Sequence, residues 1–178
     1  MPRCWLMLDA RLEEAGAGAK GLTRALAALP PRSAVVVRPR AMTEAQRRAW
    51  RTLHHAARAR GHRLLWSEER IGEDGRHLTR RGRLGRKPTA ILVSASVHNA
   101  RELTLAKRRG ARALLISPVG VTRSHAGAAA LGTRGFARLA ARCGSARAIA
   151  LGGMTFGRFR TLRRHGAHGW AAIDAWLA

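Results

Sequence analysis

Two short stretches of this chain combine hydroxyls and glycines in a pattern that suits phosphate binding. Ser117-Pro118-Val119-Gly120-Val121-Thr122-Arg123-Ser124-His125 follows the apolar run Ala113 to Ile116, and Gly152-Gly153-Met154 follows the run Ala148 to Leu151. Thr122 and Ser124 offer hydroxyl donors to phosphate oxygens, and a protonated His125 adds a cation. Gly152 and Gly153 let backbone N–H groups approach an anion, and a helix that follows them aims its positive end at the same spot. Asn99, ahead of a helical pattern, reads better as a helix cap than as a ligand.

These residues need elements that bring them to one end of the molecule. Strand-like runs recur at Cys4 to Leu8, Ser33 to Arg38, Arg63 to Trp66, Arg76 to Leu78, Ala90 to Ser94, Ala113 to Ile116, Ala148 to Leu151 and Gly169 to Ile173. Helical patterns lie between most of them. The clearest is Thr43 to Arg60, where Ala45, Ala49, Leu53, Ala56 and Ala57 recur at helix spacing opposite a face of arginines, with Gly61 beyond its end. Asn99 to Arg109, Thr133 to Cys143 and Thr155 to His165 each stop before a glycine. Strands alternating with helices predict a compact (β/α)8 TIM barrel with shortened crossovers; an open flavodoxin-like sheet is the structural alternative. The 178 residues are short for a barrel, which typically takes ~250, and the segment from Glu68 to Pro88 shows no apolar helical face. No linker, repeat or low-complexity segment divides the chain, so residues 1–178 read as one domain.

The formal charge is +24, from 34 basic and 10 acidic residues. Such a charge ordinarily points to nucleic acid or an acidic membrane surface. Here the basic residues are nearly all arginine and are spread along the whole chain, as coding bias would spread them. No dedicated nucleic-acid partner is expected from that usage, only weak non-specific attraction to polyanions. Cys4 and Cys143 show no metal-binding spacing and read as reduced thiols. No apolar run approaches the ~18 residues of a membrane span and no signal-peptide core is present, so a soluble, cytoplasmic protein without a membrane partner is expected.

Six segments, in order, carry a resemblance to the thiamine phosphate synthase family, including its thiazole tautomerase (TenI) branch. Trp5-Leu6-Met7-Leu8-Asp9-Ala10-Arg11 resembles the opening strand; Val36-Val37-Arg38-Pro39-Arg40 resembles Gln-Leu-Arg-Glu-Lys; Asp74-Gly75-Arg76-His77-Leu78 resembles Asp-Gly-Val-His-Leu. Ser96-Val97-His98-Asn99 is similar to Ser-Thr-His-Asn after the fifth strand. The Ser117 to His125 stretch is similar to Gly-Pro-Val-Phe-x-Thr-x-Thr-Lys, and Gly152-Gly153-Met154 to Gly-Gly-Ile. The resemblance implies an enzyme that joins hydroxymethylpyrimidine diphosphate to thiazole phosphate and releases pyrophosphate.

On that resemblance Arg38, Ser96 and His125 take the catalytic positions, with Arg38 and Ser96 on the diphosphate and His125 where the family has lysine. Arg40, Thr122 and Ser124 take further substrate-binding positions, while Gly152, Gly153 and the backbone of Ile173 take the thiazole phosphate. Mg²⁺ is the implied cofactor, with Glu68 as its surviving carboxylate: Ser67-Glu68 stands for an Asn-Asp pair, and Thr79-Arg80-Arg81 stands where a second Asp is expected. Val36 replaces a glutamine and Gly120 an aromatic. The tautomerase alternative lacks its proton-transfer histidine, whose place is taken by Pro118, so His125 or His77 would have to act instead. A non-catalytic barrel that binds thiazole phosphate or thiamine phosphate is the remaining reading.

Overall fold

A computed structural model describes residues 1–8, 18–38, 44–67, 74–79, 91–121 and 129–176. Eight short strands, β1 (Cys4–Met7), β2 (Ala34–Val37), β3 (Arg63–Trp66), β4 (Gly75–Leu78), β5 (Leu92–Val97), β6 (Ala113–Ile116), β7 (Arg147–Leu151) and β8 (Ala167–Ala172), pair in parallel in chain order. β1 also pairs with β8, with Trp5 opposite Ala171, so the sheet closes into a (β/α)8 TIM barrel and the open-sheet alternative is excluded. Five α-helices are described: α1 (Gly18–Ala28), α2 (Glu44–Ala59), α3 (Ala100–Arg108), α4 (Gly132–Ala140) and α5 (Phe156–Arg163), followed by a 3-10 turn at Asp174–Trp176.

Closure in so few residues is a matter of reach. Only Ser67 to Asp74 separate β3 from β4, and these eight residues span at most ~28 Å when extended, enough to return past a four-residue strand of ~13 Å. The joint between these strands is thin, with Leu65 opposite Gly75 and Trp66 opposite Arg76 as its paired positions. Most of the segment from Glu68 to Pro88, for which no apolar helical face is expected, lies outside the described residues.

Alternation along each strand builds two apolar layers. Trp5, Met7, Ala34, Val36, Leu65, Leu115, Ile149 and Ala171 fill the barrel interior, whereas Leu6, Val35, Leu64, Leu114 and Ala150 face the helices. The indole of Trp5 is fully buried and donates to the Pro2 carbonyl at 3.0 Å; the Trp176 indole in turn donates to the Trp5 carbonyl at 3.0 Å. α1, which has no counterpart among the sequence-predicted helices, packs Leu22, Ala25, Leu26 and Leu29 into the outer layer at helical spacing.

The helix ends follow the chemistry read from the sequence in three cases and depart from it in one. Asn99 caps α3 by accepting from the Glu102 amide at 2.9 Å, and Thr155 caps α5 by accepting from the Arg158 amide at 3.3 Å. Gly110, at φ +81°, ends α3: its amide donates to the Lys107 carbonyl, and that of Ala111 reaches back to Ala106. α4, however, begins at Gly132 rather than Thr133 and ends at Ala140 rather than Cys143. The amides of Leu131 and Gly132 donate to the carbonyls of Pro118 and Val119 at 2.9 and 3.0 Å, so loop backbone fixes the helix start without a side-chain cap. Both cysteines are free, and burial pushes the Cys143 thiol up to about 11. No helix among the described residues is long and apolar enough to cross a membrane.

Candidate active site

A cavity of about 530 Å³ opens at the C-terminal end of the barrel, and each strand sends one inward-facing residue to it. Met7, Arg38, Ser67, His77, Ser96, Ser117, Leu151 and Ile173 form this ring, in order from β1 to β8. Its two arcs differ in chemistry. Strands β2 to β6 contribute a cation, an imidazole and three hydroxyls; β7, β8 and β1 contribute Leu151, Ile173 and Met7. A ligand with a charged end and a flat apolar ring would find a matching wall for each.

The ordering of the polar arc starts at β4 and β5, where His77 lies directly opposite Ser94. His77 Nδ1 is 2.9 Å from Ser94 Oγ, and His77 Nε2 is 3.2 Å from Ser96 Oγ. Complete burial, and then the Arg38 guanidinium, hold the imidazole down to about 3, so it is neutral at pH 7. Ser96 belongs to β5 and does not follow it, as the sequence reading had it: β5 runs on through Val97 because Ala95 and Val97 continue the outward apolar face while Ser94 and Ser96 occupy the inward one. Arg38 immediately follows β2, half-buried, and continues the inward set of Ala34 and Val36.

At the cavity rim the Glu102 carboxylate takes both the backbone amide of His98, at 3.0 Å, and His98 Nδ1, at 2.7 Å. This ties His98 to the first turn of α3, and both residues line the cavity. Across the mouth, Gly152 and Gly153 adopt φ of +95° and +60°. Beyond β6 the chain pairs with them closely: the Gly120 amide donates to the Gly152 carbonyl at 3.0 Å, and Val119 to Leu151 at 2.9 Å. A Cβ on Gly152 would stand 2.9 Å from Pro118 Cα, and one on Gly153 would collide with the Val121 carbonyl oxygen. The Ser117-Pro118 peptide in this crossing is cis. Arg158, from the first turn of α5, donates to the Gly153 carbonyl and sets a guanidinium beside the glycines.

The structure therefore brings Arg38, Ser96, Gly152, Gly153 and Ile173 to one cavity. Arg40, Glu68, Thr122, Ser124 and His125 lie outside the described residues. Ser67 and Ser117, named in the sequence only as parts of longer segments and given no role of their own, join the ring one residue past β3 and β6. Asp174, next to Ile173, is exposed and opens the final 3-10 turn. Among the described residues no three His, Cys, Asp or Glu side chains converge to hold a metal ion.

The barrel resembles solved structures over nearly its whole length. A thiamine phosphate pyrophosphorylase from Pyrococcus furiosus superposes with a TM-score of 0.70 at 18% identity, covering 99% of this chain and 88% of that one. A thiamine phosphate pyrophosphorylase from Bacteroides thetaiotaomicron gives a TM-score of 0.56 at 14% identity, covering 98% and 84%. At such identities the likeness establishes the fold. No curated protein matches the sequence. The family model for thiamine monophosphate synthase matches residues 69–176, more than half of the chain and the part that contributes β4 to β8 and the glycine pair. The chain thus belongs to the thiamine monophosphate synthase (TMP-TENI) family.

Proposed function

We infer that this chain is a thiamine phosphate synthase-type transferase, joining a hydroxymethylpyrimidine diphosphate to a thiazole phosphate. The observation that carries the reading is the divided ring: five polar residues from β2 to β6 face three apolar ones from β7, β8 and β1. Arg38 and Ser96 hold the diphosphate on the polar arc. As the pyrimidine methylene C–O bond breaks, its electron pair leaves with pyrophosphate, and Arg38 and the serine hydroxyls offset the negative charge that accumulates there. The thiazole nitrogen then supplies the pair for the new C–N bond. Its ring rests against Leu151, Ile173 and Met7, and its phosphate is held at the Gly152-Gly153 turn with the Ile173 backbone. Alignment of two rings in a walled cavity is the protein's main contribution.

His125, Thr122, Ser124 and Arg40 complete the phosphate contacts in this reading. Mg²⁺, when bound, would neutralise diphosphate charge. Glu68 is its proposed ligand, and the described residues offer no converging set beside it, so no step is routed through the ion. The tautomerase alternative needs a side chain that gains and loses a proton near neutrality. His77 is poorly suited: both ring nitrogens face serine hydroxyls, and its titration lies near pH 3. That observation favours the transferase.

The test is to incubate purified protein with both precursors and Mg²⁺ and to measure pyrophosphate and thiamine phosphate. Equal yields of the two are expected. Binding of thiazole phosphate without product would replace the transferase by a non-catalytic binding barrel, and isomerisation of the thiazole alone would replace it by the tautomerase.

A further inference from the structure

Six of the arginines that look scattered in the sequence gather at one end of the fold. Parallel strands in a closed barrel all begin at the end opposite the cavity, and most of them begin beside an arginine. Arg3 precedes β1, Arg32 lies two residues before β2, Arg63 opens β3, Arg112 precedes β6, Arg147 opens β7, and Arg164 lies in the turn before β8. All six are exposed. Backbone bonds fix their spacing: the Arg147 amide donates to the Arg112 carbonyl at 2.8 Å, the Arg63 amide to Ser33 at 2.9 Å, and the Arg32 amide to Arg60 at 3.2 Å.

Among the described residues, three of the four acidic side chains lie at the other end. Of those in the described residues, Glu44 and Glu102 lie in the first turns of α2 and α3, and Asp174 follows β8, all at the cavity end. Asp74, before β4, is the one at the opposite face, and it is engaged by the Leu64 amide at 3.2 Å and by Arg58 at 3.9 Å.

Two ordinary structural roles account for part of this charge. Basic side chains near helix C-termini complement the helix dipole. Arg60 donates to the carbonyls of Ala27 and Leu29 at the end of α1, and Lys107 to that of Arg142. Arg3, Arg32, Arg63, Arg112 and Arg147 are outside the last turns of the helices, and their side chains form no ion pair among the described residues. They add mutual repulsion to a ring already basic, which an anionic partner would relieve.

We propose that the strand-start face of the barrel is a docking surface for the phosphate backbone of nucleic acid. Guanidinium groups held at the strand ends present several cations to a phosphate chain, and arginine rather than lysine favours bidentate contact with each phosphate. A lipid surface is the less fitting partner: among the described residues the exposed large apolar side chains Val121 and Phe156 lie at the cavity end and Leu105 on the flank of α3, leaving Met1 as the one near this face.

The experiment measures fluorescence anisotropy of a labelled 20-base-pair DNA duplex against the full chain across a salt series. Three proteins are compared: wild type, Arg63→Glu/Arg112→Glu/Arg147→Glu, and a control of equal charge, Arg51→Glu/Arg101→Glu/Arg134→Glu, on the helices. Circular dichroism checks folding, and the Arg→Gln triple at the same face positions replaces the Glu triple if the latter is unfolded. Four or more phosphate contacts give a slope of log K against log salt of about −3.6 or steeper. The face variant is expected to lose at least about tenfold in affinity at 0.1 M salt and to flatten that slope by about 2.7, while the control keeps both within about threefold. Equal losses in the two variants would show net charge acting without a face. No duplex binding by wild type, or face-dependent binding to phosphatidylserine vesicles but not to duplex, would equally overturn the proposal.

Discussion

His77 stands between Ser94 and Ser96, its Nδ1 2.9 Å from one hydroxyl and its Nε2 3.2 Å from the other, at the level where the barrel interior becomes the cavity floor. A neutral imidazole has one donor and one acceptor nitrogen, and each hydroxyl can turn to complement whichever it meets. The three side chains thus form a satisfied unit, with His77 and Ser94 buried and Ser96 at the cavity. Its value lies in staying uncharged and in fixing the Ser96 hydroxyl where the cavity begins.

That arrangement has a signature in acid. Burial and Arg38 lower His77 from 6.5 to about 3 in the folded protein, so below pH 6.5 the unfolded chain takes up a proton that the folded one refuses. The contribution is present above pH 6.5 and is lost as the pH falls towards 3, at up to ~1.4 kcal/mol per pH unit. His62 and His168 are also lowered by burial and act in the same direction. Urea unfolding from pH 7 to pH 4 should show the stabilities of wild type and His77→Gln converging as the pH falls. Parallel curves would remove His77 as the source.

Ser94 and Ser96 should separate stability from turnover. Ser94 is fully buried, and Ser94→Ala leaves His77 Nδ1 without its partner, which should cost about 1–3 kcal/mol of stability. Ser96 lines the cavity, so Ser96→Ala should cost less stability and at least about tenfold in turnover if its hydroxyl contacts the diphosphate, one such contact contributing ~1.4 kcal/mol. Thermal melts beside pyrophosphate release distinguish the two, and equal melting losses with unchanged turnover would take Ser96 out of the site.

The glycine pair illustrates what was legible in sequence and what was not. Two glycines after a short apolar run correctly implied a tight strand-to-helix turn, and Gly110, Asn99 and Thr155 likewise marked helix ends through local chemistry alone. The eight alternating runs were enough for the barrel, because the two-residue period of each strand is a local signal. Strand ends were less legible: Ser94 reads as the end of β5 and Ser96 as lying beyond it, yet the strand continues through both, facing them inward to His77, a partner 17 and 19 residues away. The reason Gly152 and Gly153 must be glycine is also non-local, since Pro118 and Val121 crowd them from a segment about thirty residues earlier in the chain. Arg158 beside Gly153 was hidden by abundance, one arginine among many.

Gly153→Ala should therefore act through shape. Its φ of +60° is one that a side chain disfavours, and the added Cβ meets the Val121 carbonyl oxygen, so a loss of about 1–3 kcal/mol in stability is expected. Displacement of the Pro118 to Val121 crossing should also weaken thiazole phosphate binding, read as a raised dissociation constant by calorimetry. An unchanged constant in a destabilised but folded variant would leave the glycines with a packing role alone.

Arg38 links the ligand site to the imidazole, and its removal should register at both. Loss of the guanidinium deprives the leaving diphosphate of a charge-assisted contact worth about 1.5–3 kcal/mol, so Arg38→Ala should lower turnover by about ten- to a hundredfold, and Arg38→Lys should recover part of it. The same variant removes the second cause of the depressed His77 titration while leaving the first, burial, in place. The imidazole resonances of His77, followed by NMR through acid, should then titrate above about 3 and still below 6.5. The sign is fixed by charge: a nearby cation disfavours a second one, so deleting it can only ease protonation. A His77 titration unmoved in Arg38→Ala would mean that burial alone holds the ring neutral, and turnover unmoved in the same variant would remove Arg38 from the proposed diphosphate contact.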